Sequence, residues 1–244
     1  MTHKNTDLSD FARLLSPISG HPAAHAAFLT EEVIKFPELM ALVHPTNVVS
    51  AMFSLLGTGN ADKFSSLWKM NSQRPDVTTA FSAQLPENIA SSLGTITPAY
   101  FERKLEALDR IPSLVSPLNT GLQLGFTRLA NADWASRITL PSTVGTALEH
   151  LGKRPGFFVP DNDDQMTALK QIIAKLADTE QHKGPSFTFS LLTGIAKKNA
   201  ILPAIMIDAA EQNKSAVSDP YRRHEVETFI SGLRRLAPAV PTAA

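Results

Sequence analysis

Cysteine is absent from this 244-residue chain, which excludes disulfides, zinc–thiolate centres and a thiol nucleophile together. Net charge is absent as well, since 23 Lys and Arg balance 23 Asp and Glu. Such a chain lacks the long-range field that gathers nucleic acid or anionic lipid, so nucleic acid is not an expected partner. Long apolar runs are missing. The most hydrophobic stretches, near residues 47–57 and 200–207, fall short of the roughly 20 residues a membrane-spanning helix needs. The first twenty residues stay polar until Phe11 and hold no secretory apolar region. The expectation is a soluble protein without a membrane span, either cytoplasmic or delivered by a route independent of a signal peptide.

What is present is ordinary globular composition, 43% hydrophobic and 19% charged, which is enough apolar material to build a core and argues against disorder. Punctuation is dense. Seventeen Pro and 12 Gly cut the chain into short segments whose apolar residues recur at helical spacing. In residues 98–111, Thr97 can cap, Pro98 opens the first turn, and Phe101, Leu105, Leu108 and Ile111 share a face. Residues 162–181 start on aspartates and carry Met166, Leu169, Ile172, Ile173 and Leu176 as a stripe. Residues 220–236 follow Asp219 and Pro220, with Val226, Phe229, Ile230, Leu233 and Leu236 on one side. Segment 46–56 is apolar nearly all round, so it reads as a central helix stopped by Gly57. Only Phe187, Phe189 and Leu191 alternate like a strand, over too few positions to make a sheet. The fold class is therefore all-α, an array or bundle of about 10–12 short helices.

A faint echo runs through these helices. Met52-Phe53-Ser54-Leu55-Leu56 is followed by Asn60-Ala61-Asp62; Gly125-Phe126-Thr127-Arg128-Leu129 by Asn131-Ala132-Asp133; and Thr188-Phe189-Ser190-Leu191-Leu192 makes a third version. It suggests three degenerate helical units of roughly 62–76 residues, longer than tetratricopeptide, ankyrin or HEAT repeats. The expected organisation is a partly flexible segment at 1–20, a single helical domain at 21–237 with units 21–96, 97–159 and 160–237, and a flexible tail at 238–244.

The constellations that could carry chemistry are weak. His21 and His25 stand four apart near Glu31 and Glu32, but Pro22 occupies the place where a zincin has Glu. Gly57-Thr58-Gly59-Asn60-Ala61-Asp62-Lys63 follows a helical pattern rather than the strand a phosphate loop requires, so it reads as a helix stop followed by a cap at Asn60. Asp161, Asp163 and Asp164 lack the glycine and the final Glu of a calcium loop, with Met166 and Ile172 in those places. The pairs Glu31/Glu32, Glu102/Glu106 and Glu225/Glu227 show no sign of the contrasting environments that acid–base catalysis needs. Arg103/Lys104, Lys197/Lys198, Arg222/Arg223 and Arg234/Arg235 read as solvated faces, with Arg223 in reach of Glu227. Trp68 and Trp134 follow the Asn-Ala-Asp steps and read as packing between units. No catalytic residue, metal ligand or cofactor site is assigned.

The function this pattern favours is a protein–protein interaction module, a helical scaffold whose exposed groove grips another protein, in the manner of an adaptor or a delivered effector. Two alternatives stand beside it. One is an enzyme with a dispersed site, which His44, His150 and His224 meeting near carboxylates would support. The other is a coat-like structural or assembly protein. The sequence leans against catalysis.

Overall fold

Proline starts helices here. A computed structural model describes residues 21–93, 98–132, 162–178, 185–197 and 202–236, together with 147, 148, 150–152, 154, 157 and 158. Among these residues there is no strand, and seven of the eleven α-helices with defined bounds begin on Pro. Its missing N–H costs nothing in the first turn and its fixed φ suits the helix. The helices are α1 (Pro22–Glu31), α2 (Pro37–Leu42), α3 (Pro45–Gly57), α4 (Ala61–Asn71), α5 (Pro75–Ser92), α6 (Pro98–Asp109), α7 (Val115–Asn131), α8 (Asp163–Asp178), α9 (Pro185–Ala196), α10 (Leu202–Lys214) and α11 (Pro220–Arg234). The protein is all-α in this sense. The expectations for 1–20, 238–244, Thr97, Trp134 and Asp161 lie outside the described residues.

The chain divides into two compact units, with the main boundary inside α7 between Gly121 and Leu122. In the first unit α3 is the hub. It contacts α1, α4, α5 and α6, because Val48, Val49, Ala51, Met52, Leu55 and Leu56 point apolar groups to nearly every side. An aromatic cluster fills the space beside it. Phe53 stacks on Phe81 at 4.6 Å, and Phe81 also meets Phe64 and Trp68 at 5.7 and 5.5 Å. Arg74 fastens α2 to this core: Nη1 donates to the Met40 carbonyl and Asn71 Oδ1, and Nη2 donates to the Val43 carbonyl and Asp76.

In the second unit α10 packs on α8 and α11, and α9 on α11. Arg234 pairs with Glu211 and Lys214 with Glu227, so residue numbers fall along α11 as they rise along α10 and the two helices are antiparallel. The segment 187–191 is helical, inside α9, and not strand. Its alternation is overridden because Pro185 presets the first turn and because Phe189 and Leu192, three apart, are both buried. Phe189 stacks on Phe229 of α11 at 4.5 Å. Phe126 meets Phe157 and Phe158 edge-on at 5.9 and 5.6 Å. Lys175 closes the end of α7 by donating to the carbonyls of Ala130 and Ala132, two acceptors with no partner in their own helix.

Candidate functional site

Among the described residues there is a concave place in each unit. In the first, α5 and α7 touch closely at Pro86 and Gly121. A Cβ on Gly121 would lie 2.7 Å from Ile89 Cβ and 2.8 Å from the Pro86 carbonyl, so only glycine permits the approach. On the Trp68 side of that contact the helices leave an open groove of about 740 Å3. Its walls are rich in hydroxyls: Ser72, Thr78, Thr79, Ser82, Ser113, Ser116 and Thr120, with Pro86 and Pro117 between them and Trp68 as the aromatic member. No ionisable side chain lines it. Pro86 sits inside α5 and deprives the Ser82 carbonyl of its helical donor, which adds a backbone acceptor on the helix face that forms the wall.

The second unit holds a smaller cavity of about 240 Å3 between α9 and α11, lined by Phe189, Ser190, Thr193, Tyr221, His224, Glu225, Thr228 and Phe229. Asp219 caps α11 by accepting from the Tyr221 N–H, which fixes the first turn. From there Tyr221, Glu225 and Thr228 rise on one face at helical spacing. Glu225 Oε2 is buried with no hydrogen-bond partner. Burial pushes this carboxyl above its ordinary value, with help from Asp219 and opposition from Arg222 and His224. No hydrogen bond joins Ser190, His224 and Glu225, so they are not assembled as a nucleophile and its base.

The sequence-derived candidates fall into place as follows. His21 precedes Pro22 at the start of α1 and is exposed, whereas His25 is buried. Glu31 pairs with Lys63, which holds its carboxyl below the usual range, and Glu32 pairs with Lys35. No group of three His, Asp or Glu able to hold a metal occurs among the described residues. His44 caps α3 by accepting from the Thr46 N–H. His150 and His224 belong to the second unit, the former buried and the latter exposed at the cavity. Asp163 and Asp164 occupy the first turn of α8, where Asn162 Oδ1 accepts from the Gln165 N–H. Glu102 and Glu106 are exposed on α6.

Three expectations need correction. Gly57 does not stop α3; it is the last helical residue, and Gly59, at φ +72°, makes the left-handed turn. Tyr100 packs where a Gly59 side chain would be. The doublets Arg103/Lys104 and Arg222/Arg223 are not solvated faces throughout. Lys104 is 2% exposed and donates to Asn88 Oδ1 at 2.6 Å and Ser92 Oγ at 2.7 Å, and burial lowers its pKa to about 8. Arg222 is 6% exposed. Arg223, finally, bonds the Val217 carbonyl rather than Glu227, which Lys214 takes. The sign that could have separated Lys104 was its position, three beyond Phe101 and four before Leu108 on the buried face of α6.

Trp68 is largely buried against Phe81 and Phe64 and lines the groove. Phe28, Phe36 and Leu42 are exposed large apolar side chains in the 21-residue stretch from Pro22 to Leu42. Among the described residues no helix is long and apolar enough to cross a membrane. No known protein family, curated protein sequence or solved structure matches the chain.

Proposed function

We propose that the protein is an interaction module and that the α5–α7 groove receives a segment of another protein. The observation that carries this reading is the groove itself, open, ringed by hydroxyls and free of ionisable side chains. Its α5 wall runs from Thr78 to Pro86, about 12 Å at 1.5 Å per residue, comparable with the diameter of one helix. A lining without charge gives a phosphate backbone or an acidic peptide nothing to pair with. It suits instead an uncharged segment bearing small apolar and amide or hydroxyl side chains, whose donors meet the hydroxyls and the Ser82 carbonyl. Phe28, Phe36 and Leu42 add exposed apolar surface on the same unit, of the kind interfaces use. A scaffold of this sort works as an adaptor in the cytoplasm or after delivery into another compartment.

The test fills the groove. Ser82→Arg and Ser116→Arg place bulk and charge there without touching the core, while Glu102→Arg serves as a control outside the lining. After circular dichroism confirms equal helicity, each protein is used to capture partners from its native cell type. The expected result is one or more specific partners retained by the wild type and the Glu102 variant, and lost by both groove variants. Partners that survive groove filling would overturn the assignment.

A further inference from the structure

We infer that the α5–α7 groove binds a Pro-x-x-Pro segment, and that residues 237–244 of a second copy of this chain are its occupant. The inference rests on the docking role proposed for the groove and names what fills it. The chemistry of the walls supplies the first reason. Thr79 and Ser82 on α5, with Ser113 and Ser116 on the facing wall, are lining residues whose hydroxyl protons go to no group of the chain among the described residues. Ser72, Thr78 and Thr120 give theirs to backbone carbonyls. Four donors are therefore unspent, and no cation accompanies them to offset a carboxylate or phosphate. Neutral donors of this kind suit backbone carbonyls. A polyproline II segment presents its carbonyls outward because it makes no internal hydrogen bonds, and each Pro lacks the N–H that would compete.

Size supplies the second reason. The α5 wall, about 12 Å long, matches four residues at about 3.1 Å each in that conformation. Trp68, Pro86 and Pro117 set apolar surface between the hydroxyls, the combination against which proline rings dock.

The chain itself carries the matching segment. Ala237-Pro238-Ala239-Val240-Pro241-Thr242-Ala243-Ala244 has no ionisable side chain, as the lining has none. Pro238 and Pro241 stand three apart, one turn of a polyproline II helix, and so share a face there. Their fixed φ lowers the entropy lost on binding. Only Ala237 separates Pro238 from Leu236, a reach of about 7 Å. A second copy presents the segment without that restriction, and two copies that exchange segments make two contacts at once. A cellular partner of the same chemistry then competes with the segment, so self-association is the resting state of the groove.

Sedimentation velocity of the full-length protein, from about 1 µM to about 1 mM, tests this. Wild type is expected to pass from monomer to dimer. Ser82→Arg and the double variant Pro238→Ala/Pro241→Ala are each expected to associate at least about tenfold more weakly. An equimolar mixture of the two is expected to associate again, because the first still offers its segment and the second its groove. Ser116→Arg stands in should Ser82→Arg lose helicity. The acetylated and amidated peptide of residues 236–244 is expected to dissociate the wild-type dimer and to bind the double variant. Wild type that stays monomeric, a double variant that associates as tightly as wild type, or a mixture that stays monomeric would each overturn the inference. Peptide that binds the double variant but not a monomeric wild type would put the segment in its own groove and overturn the second copy as occupant. If wild type stays monomeric while Ser82→Arg loses a cellular partner, the docking role stands without this occupant. If the partner survives groove filling while the mixture associates, the groove serves self-association and the partner reading falls.

Discussion

Two glycines two residues apart have opposite roles, and only the backbone distinguishes them. Gly57 is helical with open space around its Cα, whereas Gly59 has φ +72° and the Tyr100 ring 2.7 Å from where a Cβ would sit. Gly57→Ala is therefore expected to stabilise the protein by about 0.5–1 kcal/mol. Gly59→Ala is expected to cost about 1–3 kcal/mol through strain and displacement of Tyr100. Chemical denaturation of both variants checks the signs. Lys104 makes a second residue-scale test. Its folded pKa of about 8 lies below the ordinary lysine value of 10.5, so the folded protein holds fewer protons than the unfolded chain between those values. Stability from this group is complete above 10.5 and is lost as pH falls through 8. The wild type should gain stability relative to Lys104→Met over that window, by on the order of 3 kcal/mol at most. A flat difference curve would mean that the amine is not desolvated.

At the scale of elements, the sequence was most readable where proline and apolar spacing coincide. The helices at 98–109, 163–178 and 220–234 lie where the stripes put them, and α3 is the hub because its apolar residues leave no side for water. Residues 187–191 alternate over three positions, too few to make a sheet, and they are helical, inside a Pro-initiated helix packed on α11. Lys104 and Arg222 could not be read correctly from charge alone, since their burial depends on Asn88, Ser92 and the turn at Asp219. Neither cavity was foreseen. Hydroxyl groups at 78, 82, 116 and 120 acquire meaning only once Gly121 brings α7 against Pro86. Arg74 shows how much one side chain can join. It binds two carbonyls of α2 and its cap from the turn before α5. Arg74→Ala is expected to cost about 2–4 kcal/mol. Hydrogen exchange should show early opening of α2 with α3 still protected, and uniform protection would contradict this role.

For the whole molecule, neutrality and the absence of cysteine narrowed the function classes without naming one. Two of the three echoed phenylalanines, Phe53 and Phe189, stack nearly parallel on a second Phe, and Phe126 instead meets two rings edge-on. Threefold duplication is kept as a proposal, and the interaction function rests on the groove rather than on repetition. The most direct test of that function is site-specific photo-crosslinking in the native cell, with a benzophenone amino acid placed singly at Thr79, Ser82, Ser116 and, outside the lining, at Ser50 and Glu106. The expected result is one shared crosslinked protein from the three groove positions and none from the two controls. Crosslinks that are absent from the groove, or equally frequent at Ser50 and Glu106, would contradict a docking role for this surface.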